Sequence, residues 1–128
     1  MAEKLPPEVQ QVASQLDELQ EKYTGIVNQR LLLESEVTEI KKVLEALNSL
    51  REDAKVYRSI GNILFEEDRK KLIDSLTEKK ETNEILIQKY KKEEEELKKQ
   101  ITQLQERLKG LIASYYQRLA SQRTGGAS

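Results

Sequence analysis

The ionisable side chains of this sequence are carboxylates, amines, guanidinium groups and five tyrosines, because the chain contains no histidine and no cysteine. Without histidine it lacks the commonest general base and the commonest metal ligand. Without cysteine it can form neither disulfides nor thiolate metal sites. The five glycines do not follow the pattern of a phosphate-binding loop. These residue types make an enzyme the least favoured class, and we expect no metal and no cofactor.

The densest cluster of ionisable groups is KYKKEEEELKKQ, residues 89–100. Glu94 with Lys98, and Glu95 with Lys99, have the i, i+4 spacing and the order that stabilise a helix surface, so we interpret the run as a solvated helix face. Basic and acidic residues number 22 and 23, giving a net charge of −1. That balance provides no general attraction to nucleic acid or anionic lipid. We therefore expect neither a nucleic-acid partner nor a membrane.

Two long segments repeat apolar residues at alternating spacings of three and four. The first runs from Val9 to Leu47 and the second from Ile73 to Tyr115. A period of about 3.5 residues kept over this length is typical of a left-handed coiled coil. The spacing predicts helices over residues 5–52 and 68–123, with Asp68 as N-cap and a frayed tail at 124–128. Because the break between them is short, we expect one domain, residues 1–128, built as an antiparallel two-helix coiled coil.

The segment between the helices, residues 54–67, has a different composition. Gly61-Asn62 is a two-residue turn signal between two apolar runs, which predicts a β-hairpin with Ile60 opposite Ile63 and Val56 opposite Glu67. An isolated two-stranded hairpin is marginal in water and has two unpaired edges. We therefore expect hairpins from several chains to join in a shared sheet or barrel, the alternative being an irregular loop. The residues assigned to this assembly element are Val56, Tyr57, Ile60, Gly61, Asn62, Ile63, Leu64 and Phe65.

A resemblance to a known family rests on this arrangement. LPPEVQ, a heptad helix containing Leu31-Leu32-Leu33-Glu34, then VYRSIGNILF and a second heptad helix resemble the beta-type subunits of archaeal prefoldins over essentially the whole chain. The resemblance implies a heterohexamer of two alpha-type and four beta-type subunits with a double β-barrel body. It also implies an ATP-independent chaperone that holds unfolded polypeptides at the coiled-coil tips and transfers them to a group II chaperonin.

The free ends of the two helices carry more apolar residues than one coiled-coil seam uses. Surplus exposed apolar surface marks an interaction site, and tyrosine offers a large contact area with a polar end. The alternative is that these residues only seal the end of the coiled coil. We expect client binding by Leu5, Val9, Val12, Ile112, Tyr115, Tyr116 and Leu119.

Two other functions are alternatives to the chaperone hypothesis. A coiled-coil scaffold or spacer would account for the heptads, but it needs neither the hairpin nor the apolar ends. An RNA-binding helical arm would need a basic face, against which the interleaved charges argue. The start of the sequence, MAEKLPPEVQ, lacks the pattern of a signal peptide, and no apolar run approaches the length of a membrane span. We therefore expect a cytoplasmic protein.

Overall fold

The computed structural model describes the backbone of residues 5–125 and the side chains of residues 5–122. The described residues form helix α1 (Pro7–Ser49), strand β1 (Val56–Ile60), strand β2 (Ile63–Glu67) and helix α2 (Arg69–Gly125). The predicted mainly helical fold with one central hairpin is confirmed. Residues 124 and 125, expected in the tail, belong to α2, and residues 126–128 of that expected tail lie outside the described residues.

Helix α1 begins at Pro7, two residues after the expected start at residue 5. Proline suits the first helical position because its fixed φ is helical and that position needs no N–H donor. Gln10 anchors this end of the helix. Its main-chain N–H donates to the Pro6 carbonyl at 3.1 Å, and its side-chain Nε2 donates to the Leu5 carbonyl at 2.7 Å.

Helix α1 ends at Ser49, three residues before the expected boundary at residue 52. If the helix continued, the carbonyl of Leu47 would accept the N–H of Arg51. In the structure it accepts the N–H of Leu50 at 3.3 Å and the guanidinium of Arg69. The last turn is thereby tightened and capped from outside, which ends the helix before the hairpin.

Strands β1 and β2 pair antiparallel in the predicted register, with Val56 opposite Glu67 and Ile60 opposite Ile63. Gly61 has a φ of +59°, whereas none of the described non-glycine residues, Asn62 included, has a positive φ. A positive φ at the first central residue only is the geometry of a type II′ turn, which favours glycine there. The predicted two-residue turn is confirmed.

Helix α2 begins directly after Asp68, which caps it as predicted. The side-chain Oδ1 of Asp68 accepts the N–H of Lys71 at 3.1 Å, and its carbonyl accepts the N–H of Leu72 at 2.9 Å. An N-cap carboxylate stabilises a helix start because it satisfies an otherwise unpaired N–H and lies at the positive end of the helix dipole.

The residues group into two compact units. The hairpin unit is Asn28–Lys91, and the terminal unit is Met1–Val27 with Lys92–Ser128, of which residues 5–27 and 92–125 are described. In the hairpin unit, polar contacts that join the helices include Arg69 to the Leu47 carbonyl, Lys79 to Glu36, and Tyr90 to Gln29. Residue numbers rise along α2 as they fall along α1, so the helices of this unit run antiparallel.

The terminal unit has its own contacts between the helices. Arg107 Nη2 lies 3.3 Å from Oε1 of Glu8, and Leu19 shares a groove with Gln100 and Gln103. This direction is again antiparallel. The buried apolar residues of both units all lie on the predicted heptad seams: Val9, Val12, Leu16, Val37, Ile40, Leu47, Ile87 and Leu97.

Candidate functional site: the hairpin and the helix ends

The apolar side chains of the hairpin are exposed in the single chain. Tyr57, Ile60, Ile63, Leu64 and Phe65 are between 49% and 67% accessible, and Val56 is half-buried. Large apolar side chains at this exposure, contiguous on one small element, mark an interaction surface rather than scattered surface residues. The chain itself therefore leaves most of the apolar surface of its hairpin uncovered.

The register divides the hairpin into two unequal faces. One face carries the apolar side chains of Val56, Ile60, Ile63 and Phe65, because alternate residues of paired strands share a face. The same face carries Arg58 and Glu67, whose Nε and Oε1 atoms lie 2.8 Å apart. The ion pair neutralises both charges, so this face presents apolar side chains and no net charge.

The hairpin also has two free edges. Among the described residues the sheet contains only β1 and β2, which pair with each other. The outer edge of each strand therefore carries N–H and C=O groups that could pair with another strand. An apolar face flanked by two such edges is suited to β-sheet extension by another chain.

A polar layer crosses the helices in the hairpin unit. Lys79 Nζ lies 2.7 Å from Oε1 of Glu36, and this hydrogen bond, with the positive charge of Lys79, lowers the pKa of Glu36 despite some desolvation. Nearby, Asn83 is buried on the seam, and its Nδ2 makes no hydrogen bond of good geometry within the described part of the chain. A polar group in a coiled-coil seam costs stability but helps to specify one register.

The residues expected to bind clients differ in accessibility. Leu5 and Tyr116 are exposed, at 41% and 61%. A second group is half-buried, and it consists of Ile112, Tyr115 and Leu119. The Tyr115 and Tyr116 rings lie 5.7 Å apart between centroids and are tilted by 57°, so the two rings form one aromatic surface.

Val9 and Val12 differ from the other residues of this set, because each is only 2% accessible. A side chain buried to this degree packs the coiled coil and has no surface to offer in this conformation. The heptad pattern places both valines on the seam, and this position, rather than their closeness to the end of the chain, correctly indicates that they are buried. Their role in client binding therefore stays a prediction that requires the helix pair to open.

Sequence reasoning missed the three most exposed apolar residues on the helices of the hairpin unit. Leu32 and Ile85 are 72% and 71% accessible, and Leu31 is 50% accessible. All three fall outside the heptad seam. An apolar residue at a position that the seam does not use is the signal that could have identified them. They belong to neither of the two candidate surfaces, and this makes them useful control positions.

The described residues contain neither a metal-binding cluster nor a membrane-spanning helix. Within residues 5–122, no group of three or more acidic or other metal-binding side chains is placed to hold a metal ion. None of the described helices is long and apolar enough to cross a membrane.

Most of the chain matches the model of a known protein family. The family model described as a prefoldin subunit matches residues 10–115. The chain belongs to the prefoldin family. The match spans most of α1, the hairpin and most of α2, so it includes the turn and nearly all of both heptad segments.

Relatives within the prefoldin family agree with the beta-type resemblance. The chain is 36% identical over 116 residues to the prefoldin subunit beta of Saccharolobus islandicus, covering 91% of this chain and 92% of that one. It is also 36% identical over 109 residues to the prefoldin subunit beta of Archaeoglobus fulgidus, covering 85% and 94%. The predicted membership of the archaeal beta type is confirmed.

The fold agrees with a solved prefoldin structure. The chain superposes on the crystal structure of the prefoldin beta subunit from Thermococcus strain KS-1 with a TM-score of 0.72 and 29% identity, covering 85% of this chain and 96% of that one. Prefoldins are a family of chaperone subunits rather than of enzymes, and they form hetero-oligomers with other prefoldin subunits. A prefoldin-type chaperone role follows for this chain.

Proposed function

We propose that this chain is the beta-type subunit of an ATP-independent holdase in the cytoplasm, which captures unfolded polypeptides at the ends of its coiled coil and passes them to a group II chaperonin. The observation that carries the proposal is the coexistence of two separate exposed apolar surfaces on one chain. A scaffold that only spans a distance needs neither surface.

The hairpin is proposed to build the oligomer. Its apolar face and its two free strand edges support joining to other hairpins, because each new strand pairs an edge and covers apolar surface. The proposed assembly contains two alpha-type and four beta-type subunits, with the hairpins forming a β-barrel body. The neutral Arg58–Glu67 pair fits such a body, because an unpaired charge on a covered face would be costly.

The helix ends are proposed to bind the client. Leu5 and Tyr116 supply the exposed contacts, and Ile112, Tyr115 and Leu119 supply the half-buried surface beside them. Several weak apolar contacts from different subunits add as multivalent binding, so no nucleotide is needed to reach useful affinity. Val9 and Val12 are buried in the described conformation and would join this surface when the helix pair opens.

The test is a light-scattering assay without ATP. An aggregation-prone unfolded protein is mixed with the purified chain, with and without an alpha-type subunit, and scattering is followed over time. We expect aggregation to be suppressed, most strongly in the mixture with the alpha-type subunit. If scattering is unchanged under both conditions, the holdase proposal is wrong and the scaffold hypothesis is favoured.

A matched pair of variants assigns the activity to the helix ends. Leu5→Ser with Tyr116→Ser removes the two large apolar side chains that are exposed among the described residues of the terminal unit. Leu32→Ser with Ile85→Ser removes two apolar side chains of the hairpin unit that are even more exposed, at 72% and 71%. We expect the first pair to weaken suppression of aggregation and the second to leave it intact. Equal losses in both would contradict the proposed client surface.

A further inference from the structure

The last part of α2 carries a net positive charge, whereas the chain as a whole does not. From residue 107 to residue 128 the sequence contains Arg107, Lys109, Arg118 and Arg123 but no aspartate or glutamate, although the whole chain has a net charge of −1. The side chains of Arg107, Lys109 and Arg118 are exposed. The apolar end of the chain is therefore also its basic end.

These cations lie on both sides of the apolar stripe. On a helix, residues seven apart lie about two turns apart on the same side. Lys109 precedes the exposed Tyr116 by this spacing, and Arg118 follows the half-buried Leu111 by the same spacing. The stripe that contains Ile112 and Tyr115 runs between the two flanks, so one cation borders each side.

Two of the three described cations are available to a partner. Arg107 is already paired with Glu8 at 3.3 Å. Within the described side chains, neither Lys109 nor Arg118 makes an ion pair. Glu8 lies in the first turn of α1, so α2 continues for several turns after the level at which α1 begins. The basic flanks thus border a part of α2 that extends past the start of α1.

We propose that the end of α2 selects unfolded polypeptide segments that are both apolar and acidic. The apolar stripe contacts the client's apolar side chains, and Lys109 and Arg118 pair with carboxylates that flank them. This inference rests on the proposed client-binding function and specifies its substrate class. Charge complementarity around an apolar contact adds specificity, and like charges in the client are disfavoured.

An acidic polypeptide fits this surface better than nucleic acid does. Strong phosphate-backbone binding uses about 6 to 10 cationic contacts, more than the end of α2 provides. The surface also combines its cations with a tyrosine pair and aliphatic side chains. A surface in which apolar contact and charge act together matches a ligand that carries both.

The test uses three labelled peptides of one length with identical apolar residues. The intervening positions are all Glu, all Ser or all Lys, and binding to the full-length chain in its assembled form is measured by fluorescence anisotropy. Exposed ion pairs are individually weak, so we expect the Glu peptide to bind about three- to tenfold more tightly than the Ser peptide, and the Lys peptide to bind most weakly. The difference in affinity between the Glu and Lys peptides should shrink at high salt, because the Debye screening length falls from about 10 Å at 0.1 M to about 3 Å at 1 M.

A variant and its matched control locate the preference. Lys109→Gln with Arg118→Gln removes two charges at the end of α2, and Lys98→Gln with Lys99→Gln removes two exposed charges elsewhere on the same helix. We expect the first pair to abolish the preference for the Glu peptide while retaining the affinity for the Ser peptide. The second pair should keep the preference. Circular dichroism checks that both variants remain helical.

The outcomes separate this inference from the proposed function. If all three peptides bind equally, charge selection is wrong and client capture stands. If none binds, client capture itself fails and the inference with it. Retention of the preference in the Lys109, Arg118 variant would overturn the assignment to α2. A single-stranded oligonucleotide that binds as tightly as the Glu peptide, independently of Tyr116→Ser, would show that the surface recognises charge alone and would also overturn it.

Discussion

Arg69, the first residue of α2, caps the end of α1 through the carbonyl of Leu47. Its guanidinium donates two hydrogen bonds to that oxygen, from Nε at 3.1 Å and from Nη2 at 2.7 Å. The last turn of α1 contains no basic residue. Arg69 therefore supplies, from the other helix, the positive charge that stabilises the carboxyl end of a helix. The contact joins the two helices at the base of the hairpin.

Replacing Arg69 tests how much this cap contributes to the free energy of unfolding. We expect Arg69→Ala to lower the free energy of unfolding by about 1.5–3 kcal/mol, the range for hydrogen bonds that involve a charged group. The free energy of unfolding of Arg69→Lys should lie between those of Arg69→Ala and the wild type, because lysine keeps the charge but lacks the planar guanidinium group that donates two hydrogen bonds. Denaturant unfolding at one fixed protein concentration measures both, since the stability of an oligomer depends on concentration.

Arg51→Ala is the control for Arg69. Arg51 pairs with Asp53 at 3.7 Å, and both side chains are more than 80% exposed. Exposed ion pairs of this kind contribute about 0–1 kcal/mol. A loss in Arg51→Ala as large as the loss in Arg69→Ala would show that general charge, not the capping contact, determines the effect.

Charged residues in the hairpin are expected to abolish assembly without unfolding the helices. Ile60 and Ile63 face each other next to the turn and are 57% and 60% exposed in the single chain. Replacing both with Lys puts two like charges opposite each other on the face that the proposed barrel covers. Size-exclusion chromatography with light scattering should report a smaller particle, and circular dichroism should report unchanged helix. A variant that remains fully assembled would contradict the role given to the hairpin.

The same substitution at two glycines is expected to have opposite effects. Gly110 lies inside α2, and a Cβ added there meets nothing within 4 Å, so Gly110→Ala should raise the free energy of unfolding by about 0.5–1 kcal/mol. Gly61 also has open space but a φ of +59°, so Gly61→Ala should lower it by about 1–2 kcal/mol. Thermal unfolding checks both. Stabilisation by both substitutions would show that backbone conformation does not limit the turn.

The contribution of Glu36 to stability should depend on pH. Its pKa is lowered from 4.5, chiefly by the hydrogen bond from Lys79, so the folded state binds this proton less readily than the unfolded state does. The stabilisation is therefore present above the unfolded pKa and is lost as the pH falls through the lower folded pKa. Glu36→Gln should be less stable than the wild type at pH 7, and the difference should vanish in acid. Glu39→Gln, at the exposed pair with Lys42, is the control.

Burial predicts which residues at the helix ends affect stability and which affect binding. Val12 is 2% accessible, so Val12→Ala should cost about 1–3 kcal/mol of unfolding free energy. Tyr116 is 61% accessible, so Tyr116→Ser should change stability by less than about 0.5 kcal/mol yet reduce suppression of client aggregation. Unfolding and light-scattering assays on the same samples separate the two effects. A large loss of stability in Tyr116→Ser would instead support the alternative that these residues only seal the coiled coil.

The elements, the hairpin register and the seam of each helix could be predicted from the amino-acid sequence alone. These follow from local rules: a heptad period selects the buried positions, Gly61-Asn62 permits a two-residue turn, and the turn then fixes which residues of β1 and β2 face each other. Asp68 as a cap follows from the same kind of short-range chemistry.

The partners that meet across the two helices, and the apolar residues that remain exposed, became known only from the three-dimensional fold. The capping of Leu47 by Arg69 joins residues that are 22 positions apart, and no local pattern encodes it. The same holds for accessibility near the helix ends, where Val9 and Val12 are buried while Tyr116 is exposed. An apolar side chain prefers to be buried, but whether it is buried depends on whether another helix lies against it.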